Sequence, residues 1–298
     1  MKKRDTRTVK GLIDEYIESY AKPKNMSWHE DLRMLNKDVL PKWKYLPTTD
    51  ITEKDVVKLL SRVGAANKTL KVLQSMFAFA VSQEILEASP CSNLDAPEEE
   101  ILKDRIFTVD EIRKIWFGLE STKMSEGMRL ILKLLLLTGQ RNGEVAGARW
   151  EEFNLRQKWW TIPGTRTKNK KNHQVFLAPM TLDILPPAQK RGCVFPSGKD
   201  KHIAPRAVNM AIRNNCQSNH EFAYGDFFKV GQFVPNDLRR TASSLMAESG
   251  VNEAGIAKVL NHAPSAKNHD PEIRQALEVW EQKLQAILLG EGKPDHSK

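Results

Sequence analysis

The sequence predicts a mainly α-helical protein of two domains, with one small antiparallel β-sheet in the second domain. Apolar residues recur at helical spacing through most of the chain, and this pattern stops between residues 88 and 104. Only residues 153–177 are rich in the aromatic and β-branched side chains that favour strands. A chain of 298 residues is also long enough for two domains of ordinary size.

The first domain is predicted over residues 1–96 as four short helices. Each helix carries a stripe of apolar residues at helical spacing. The stripes follow four polar residues that suit a helix start: Thr8, Ser27, Thr52 and Asn67. Residues 97–106 are predicted as the linker, because Pro97 and a run of three glutamates replace the apolar pattern there.

The second domain is predicted over residues 107–298, and it opens with a capping box. Thr108 and Glu111 stand three residues apart, directly before an apolar helical stripe. A long apolar helix near residues 127–137 forms the predicted centre of this domain. Further helices are predicted later in the chain, near residues 204–215, 236–249, 252–261 and 271–289.

The predicted sheet of the second domain is a β-hairpin. Residues 153–162 and 173–177 have the composition of strands, and they flank a polar turn at residues 164–171. Four basic side chains belong to this turn: Arg166, Lys168, Lys170 and Lys171. Without further context, such a cluster is explained almost as well by a solvated turn that attracts phosphate.

Charge and hydropathy favour a polyanionic partner and exclude a membrane span. The net charge is +9, and residues 1–104 hold 17 basic and 17 acidic residues, so the whole excess lies in the rest of the chain. A basic surface attracts nucleic acid first, although many basic proteins bind none. The one long apolar run, residues 130–137, is too short to cross a membrane.

The N-terminus is basic but leads into an amphipathic pattern instead of a secretory core, so we expect a cytoplasmic protein. Cys91, Cys193 and Cys216 are odd in number, far apart and without metal-ligand spacing. We therefore expect neither structural disulfides nor a zinc site, and the sequence suggests no cofactor or metal.

Two arginines are the strongest candidates for an anion site. Arg141 follows Gly139 at the end of the apolar helix, where a glycine permits a turn, and Glu144 stands where it could orient the guanidinium. Arg239 lies early in a predicted helix that has Asp237 in its first turn. Guanidinium groups on rigid elements suit bidentate contact with phosphate. Taken singly, however, each arginine is better explained as a surface or salt-bridging residue.

Three motifs stand in order along the chain. They are Thr-Gly-Gln-Arg-Asn-Gly-Glu-Val at 138–145, Asn-Asp-Leu-Arg-Arg-Thr at 236–241 and Val-Leu-Asn-His at 259–262. In order, spacing and helical setting, they resemble the tyrosine recombinase family, the phage-type integrases. Residues 8–96 also resemble that family's helical core-binding domain, which has a SAM-like fold. The resemblance covers nearly the whole chain and implies a mostly helical catalytic domain after the core-binding domain.

The resemblance implies a role for each matching residue. Arg141, Arg239 and His262 match the groups that bind the scissile phosphate, although a lone histidine at a helix end would more often be a cap. Lys168 fits the hairpin lysine that protonates the leaving 5′ hydroxyl, and the other two lysines of the turn are its rivals. The basic residues expected to contact DNA are Arg166, Lys170, Lys171 and Arg240.

The activity implied by the resemblance is site-specific DNA recombination for a phage or another mobile genetic element. In that family a tyrosine attacks phosphorus and stores the phosphodiester energy as a covalent ester, so that no metal or nucleotide cofactor is required. The implied partners are a double-stranded DNA attachment site and further copies of the chain, up to a tetramer. A terminal helix in that family can dock on a neighbouring protomer, whereas the apolar stripe of residues 271–289 favours packing within its own domain.

This sequence departs from the family pattern at two chemical positions. Asn236 stands where the family usually has histidine, so a hydrogen-bond donor is kept and a general base is lost. No tyrosine follows His262, where the nucleophile is expected; the tyrosines of the chain are Tyr16, Tyr20, Tyr45 and Tyr224. If the chain is complete at this point, we expect it to bind DNA without cleaving it. The alternative function is a DNA-binding protein with a catalytically inactive integrase fold.

The segment between His262 and the last predicted helix, where the resembled family carries its tyrosine, is shorter than is usual in that family. Residues look missing near the join between Lys267 and Asn268. Residues omitted from the chain, natural degeneration and deliberate inactivation each explain this join. The first explanation is favoured because loops that carry functional groups are more mobile than the elements that they connect. A separation of about 3.8 Å between these two Cα atoms would contradict an omission.

Two other functions are disfavoured. A type IB topoisomerase shares the chemistry, but the short helical first domain and the context of residues 138–145 favour a recombinase. A basic helical protein with no nucleic-acid role would require three motif matches in order to be accidental.

Overall fold

The computed structural model describes residues 7–25, 27–97, 105–199, 201–217, 223–262 and 269–290. Its contacts divide the chain into two compact units, Met1–Leu102 and Lys103–Lys298. Most of the predicted linker and the join between Lys267 and Asn268 lie outside the described residues.

The described part of the first unit is helical, as predicted, and apart from a short 3-10 helix (Thr48–Asp50) its helices form four continuous stretches. These are α1 (Val9–Tyr16), which continues through a π-helical turn (Ile17–Ala21) into α2 (Lys22–Lys24); α3 (Trp28–Met34), which continues through a second such turn (Leu35–Val39) into α4 (Leu40–Trp43); α5 (Glu53–Leu60); and α6 (Ala66–Ser82). The side chains of Thr8 and Thr52 cap α1 and α5 by accepting backbone N–H groups. The apolar faces meet in one core around the fully buried Leu73 and Phe77.

The second unit is mostly helical and is built around α8. Its helices are α7 (Val109–Gly118), α8 (Glu126–Thr138), α9 (Asn142–Ala146), α10 (Pro179–Asp183), α11 (Pro205–Asn215), α12 (Pro235–Glu248), α13 (Glu253–Val259) and α14 (Pro271–Leu289). The capping box of Thr108 and Glu111 is present. The leucines at the end of α8 are all buried, and α12 and α14 pack against this helix. The predicted central helix is thus confirmed.

The three-stranded sheet contains the predicted hairpin. Its strands are β1 (Phe153–Asn154), β2 (Trp159–Ile162) and β3 (His173–Phe176), antiparallel in the order β1-β2-β3. Residues 153–162 were predicted as one strand, but a tight turn with Lys158 at φ 62° divides them into β1 and β2. A second small sheet, which was not predicted, pairs β4 (Cys216–Gln217) with β5 (Gly225–Asp226).

The terminal helix α14 belongs to the core of its own unit. Trp280 and Leu284 are fully buried, and the Trp280 indole donates a hydrogen bond to the carbonyl of Leu136 (2.9 Å). Glu281 accepts the backbone N–H of Met180 (3.0 Å) at the start of α10. Within the described ranges, no helix combines the length and the apolar character that a membrane crossing needs.

Candidate active site

The predicted site residues of three separate motifs line one cavity of about 540 Å³ in the second unit. The side chains around it are Ile106, Arg141, Asn236, Arg239, Arg240, Ser243, Ser244, Leu260 and His262. The structure thus brings together five predicted residues from three motifs that are far apart in the sequence. Ser243 and Ser244 were not predicted, although helical spacing places Ser243 on the same face of α12 as Asn236 and Arg240.

A left-handed glycine at the end of α8 directs the chain toward Arg141. Gly139 has φ 64°, and a Cβ atom there would lie 3.3 Å from Leu260. Arg141 then begins α9, where its backbone N–H donates to Glu144 Oε2 (3.0 Å) and its Nη1 donates to Glu144 Oε1 (3.2 Å). Because Glu144 is buried, it holds the Arg141 guanidinium in one orientation.

A Schellman motif at the end of α13 places His262. Asn261 has φ 52°, its N–H donates to the Lys258 carbonyl (3.0 Å), and the His262 N–H donates to the Ala257 carbonyl (2.8 Å). The side chain of Asn261 accepts a hydrogen bond from Asn169 Nδ2 (2.7 Å). This bond ties the hairpin turn to the residue directly before His262.

Arg239 is buried where α8 and α13 end, with 6% of its surface exposed. It donates to the Gly139 carbonyl (2.8 Å), to the Leu260 carbonyl (2.6 Å) and to His262 Nε2 (3.2 Å). Both carbonyls belong to helix C-termini, which carry partial negative charge. These three acceptors carry no formal charge. Arg141 lies close enough to act on Arg239 electrostatically and lowers its pKa, and the weaker opposite effect comes from Glu144. The site is therefore suited to an anion.

The pKa values of the cavity side chains fit this arrangement. Burial and then the charge of Arg141 lower the pKa of Arg239 to about 10, so the guanidinium is still charged at neutral pH. Burial lowers the pKa of His262 as well, followed by the charges of Arg239, Arg141 and Lys168. His262 is then neutral at pH 7, where its Nε2 accepts from Arg239 and its proton is on Nδ1.

Lys168 is the lysine of the hairpin turn whose charge acts on His262. Its side chain is exposed, as are those of Lys170 and Lys171. The Thr167 hydroxyl donates to the backbone of the turn, with its acceptors at Gly164 (3.2 Å) and Lys171 (2.8 Å). The turn is thus a closed loop. None of its three lysines lines the cavity, and Lys168 is the one whose charge is felt at His262.

Arg166, which is predicted to contact DNA, is also bonded within the second unit. Its guanidinium donates to both carboxylate oxygens of Glu152 (3.1 and 2.6 Å) and to the Glu144 carbonyl (3.1 Å). Trp160 also donates to Glu152 (2.9 Å). A Cβ atom on Gly147 would lie 2.9 Å from Arg166, so this glycine makes room for the contact. The charge of Arg166 is balanced by Glu152, and the arginine joins the hairpin turn to α9.

A buried polar hub, made of Thr138, Gln140, His173 and Val259, lies next to the cavity and was missed from the sequence. Gln140 Nε2 donates to the carbonyls of Thr138 (2.8 Å) and Val259 (2.9 Å). His173 Nε2 lies 3.1 Å from Gln140 Oε1 and 3.1 Å from the Val259 carbonyl. Burial, with the nearby charges of Arg239 and Arg141, lowers the pKa of His173 to about 4. Gln140 belongs to the motif at residues 138–145, but no sequence signal connects it to His173.

The remaining predicted residues are placed as follows. Arg240 lines the cavity and donates to Asp237 Oδ1 (3.1 Å), whose other oxygen accepts the Val234 N–H. No tyrosine is among the described residues that line the cavity. Tyr224 is 57% exposed, and its backbone N–H donates to the carbonyl of Asn214 in the last turn of α11. In the described ranges, no group of three or more histidine, cysteine, aspartate or glutamate residues could hold a metal ion.

Comparison with known proteins gives matches of sequence and of fold. Residues 105–267 match the model of the phage integrase family. The chain is 26% identical to prophage integrase IntZ of Escherichia coli (strain K12), over 95% of this chain and 70% of that protein. It is 24% identical to prophage integrase IntA of the same strain, over 87% of this chain and 65% of that protein. The chain thus spans about two thirds of the length of these relatives.

Two solved structures share the fold. A lambda integrase dimer bound to a COC′ core site superposes with a TM-score of 0.62 at 18% identity, covering 89% of this chain and 98% of that chain. The Tn1549 transposon integrase in complex with a circular intermediate DNA superposes with a TM-score of 0.63 at 13% identity, covering 91% of this chain and 94% of that chain. At these identities the likeness is one of fold alone.

Proposed function

Because the chain belongs to the phage integrase family, we propose that it is a site-specific DNA recombinase whose cavity receives the scissile phosphodiester. The observation that carries this proposal is the buried Arg239, whose hydrogen bonds go to acceptors without formal charge while Arg141 lies nearby. Among the described residues no carboxylate is hydrogen-bonded to Arg239; Glu144 acts on it only through space and is itself bonded to Arg141. A buried cation without a bonded counter-ion is unfavourable, and a phosphate oxygen would supply that bond. Electrostatic stabilisation of this kind is what phosphoryl transfer asks of a protein.

Each side chain has a role that its surroundings support. Arg141 and Arg239 neutralise the non-bridging oxygens, and the Nδ1–H of a neutral His262 donates a further hydrogen bond. Lys168 is the proposed proton donor to the 5′ oxygen that would leave if a nucleophile attacked phosphorus, and its charge, which acts on His262, supports this placement. Asn236 is exposed at the start of α12 and offers an amide donor where a base would otherwise stand.

The nucleophile is the part of the reaction that this chain does not supply. Residues 225–298 contain no tyrosine, and the match to the family model ends at residue 267. A phosphotyrosine intermediate therefore lacks its attacking group at the expected position after His262. We propose that the chain binds its DNA site and positions one phosphodiester without cutting it.

This proposal is tested by incubating the protein with duplex DNA and running the mixture on native and denaturing gels. We expect a shifted band on the native gel, because the cavity and the basic surface still bind DNA. We expect no protein–DNA adduct on the denaturing gel, because no tyrosine is available. An adduct would contradict the inactive assignment, whereas the absence of any shift up to micromolar protein would contradict DNA binding itself.

The salt dependence of the same gel shift separates DNA contacts from internal contacts. Each phosphate neutralised by a lysine or arginine adds about 0.9 to the slope of log affinity against log salt. Lys170→Met and Lys171→Met should each lower the magnitude of this slope, because these lysines are exposed on the turn. Arg166→Met should leave the slope unchanged, since Glu152 already balances its charge. A lower slope for Arg166→Met would support the prediction that Arg166 contacts DNA.

The proposed partners are a double-stranded attachment site and other copies of the chain, up to a tetramer on DNA. Lambda integrase, whose fold this chain shares, has been solved as a dimer on a core site and as a tetramer on a Holliday junction. In this proposal the first unit is a helical core-binding domain over residues 1–96, the second is the catalytic domain over residues 107–298, and the protein acts in the cytoplasm.

The second candidate function is a DNA-binding protein that uses an inactive integrase fold for regulation or architecture. The same missing tyrosine favours it. The two candidates differ in whether the pocket is still arranged for chemistry, and restoring a nucleophile separates them, as described in the Discussion.

A further inference from the structure

We propose that His173 and Gln140 are positioning residues, which fix the ends of α8 and α13 against each other and thereby set the geometry of Arg141, Arg239 and His262. The proposal rests on the proposed function, since the pocket that the hub shapes is the phosphate site. Neither residue lines the cavity. Both act through the backbone segments that carry the cavity residues.

The first step of the argument concerns unpaired carbonyls. The last carbonyls of a helix have no partner within the helix, and a buried end needs other donors. Here the ends of α8 and α13 are buried and meet each other. Gln140 donates to Thr138 and Val259, while Arg239 donates to Gly139 and Leu260. Gln140 and Arg239 therefore each donate to one carbonyl at the end of α8 and to one at the end of α13. Together they join the two helix ends.

The second step concerns the proton on His173. Its Nε2 faces two acceptors, Gln140 Oε1 and the Val259 carbonyl, because the Gln140 amide nitrogen is already committed as a donor. Nε2 must therefore carry a proton, and the ring is the neutral Nε2–H tautomer. The charged form is opposed by burial and by the nearby Arg239 and Arg141.

The third step connects the hub to the cavity. Gln140 is the residue directly before Arg141, and Val259 is three residues before His262. Because His173 bonds to both residues, it fixes the loop after α8 relative to the loop after α13. His173 itself is fixed at the start of β3 by the pairing with β2. Arg239 can reach Gly139, Leu260 and His262 together only while these loops stay at their present separation.

The experiment compares two variants that differ in one donor. In His173→Gln, the amide nitrogen of glutamine can replace Nε2–H, whereas His173→Leu fills the space without a donor. In ¹⁵N NMR spectra of the full chain, His173→Leu should shift or broaden the backbone amides of residues 139–141 and 259–262. His173→Gln should keep them near their wild-type positions. If His173→Leu leaves these amides unchanged, the hub does not position the loops and the proposal is wrong.

Binding of inorganic phosphate supplies the functional readout. We expect His173→Leu to weaken phosphate binding at least about tenfold, which is about 1.4 kcal/mol, and His173→Gln to remain within about threefold of wild type. Equal phosphate affinity in wild type and His173→Leu would also overturn the proposal. If wild type binds neither phosphate nor DNA, the proposed function fails, and the hub is then judged from the amide shifts alone.

The state of the wild-type ring tests the proposal even if His173→Leu does not fold. The imidazole ¹⁵N shifts of His173 should report the Nε2–H tautomer at pH 7 and no titration down to pH 5. An Nδ1–H tautomer, or titration near the ordinary pKa of histidine, would contradict the bonding on which the hub depends.

Discussion

Replacing Arg239 by methionine should weaken binding of duplex DNA about 30-fold, or about 2 kcal/mol, which is what hydrogen bonds from a charged group contribute. The physical reason is the position of the guanidinium. It is buried at the floor of the cavity, beside Arg141, and its bonds to Gly139 and Leu260 fix its orientation. Arg239→Lys should recover part of the loss, because one ammonium keeps the charge but cannot reach both carbonyls and His262. Dissociation constants at fixed salt measure the effect.

Arg113 offers a matched control for this substitution. Like Arg239, it bonds to the carbonyls of a helix C-terminus, those of Ile287 (2.7 Å) and Leu288 (2.8 Å) in α14. It does not line the cavity. Arg113→Met should therefore cost a similar amount of stability, measured by urea unfolding, without changing DNA affinity. If both variants lose DNA affinity equally, the effect of Arg239 is one of stability, and the phosphate assignment fails.

Inserting a short segment with one tyrosine between Lys267 and Asn268 should convert the protein from one that only binds DNA into one that forms a covalent adduct. The described residues on both sides of the insertion point are anchored independently. His262 bonds to Arg239. On the other side, His269 stacks on Trp159 with ring centroids 5.0 Å apart, and Lys258 pairs with Asp270 (3.0 Å). In the sequence, the added segment would follow the cavity residue His262 by five residues, as the family's tyrosine follows this histidine at a short distance.

The same insertion with phenylalanine in place of tyrosine is the control, because it has the same length without a nucleophile. Adduct formation should also disappear when the tyrosine insertion is combined with Arg239→Met, since the phosphate is then no longer held. Adduct on a denaturing gel with the tyrosine version supports a damaged recombinase. Tight DNA binding with no adduct from several insertion lengths would instead favour the inactive DNA-binding protein.

The helical framework could be predicted because its signals are local. The capping box at Thr108 and Glu111, the cap at Thr8 and the apolar run of α8 each lie within a few residues. Helices α9 and α10 were missed because five residues hold too few apolar positions to show a period. The pairing of β4 with β5 was missed for the same reason, since each strand is two residues long.

The contacts that hold the candidate site in place could not be predicted, because they join residues that are not close in the sequence. Arg141, Arg239 and His262 were found from motifs and stand together around one cavity. Arg166 was expected to contact DNA because a basic turn resembles a phosphate contact. Its partner Glu152 is 14 residues away, and the sequence shows no pairing between them.

The central claim is that the cavity around Arg239 holds a phosphate of DNA, and the Nε–H resonance of Arg239 tests it most directly. This resonance, assigned by its loss in Arg239→Lys, is followed by ¹⁵N NMR while duplex DNA is added. The account predicts a shift that saturates with the dissociation constant from the gel experiment, and a smaller shift in the same direction with inorganic phosphate. Saturation of the protein with DNA while the Arg239 resonance stays in place would contradict the claim.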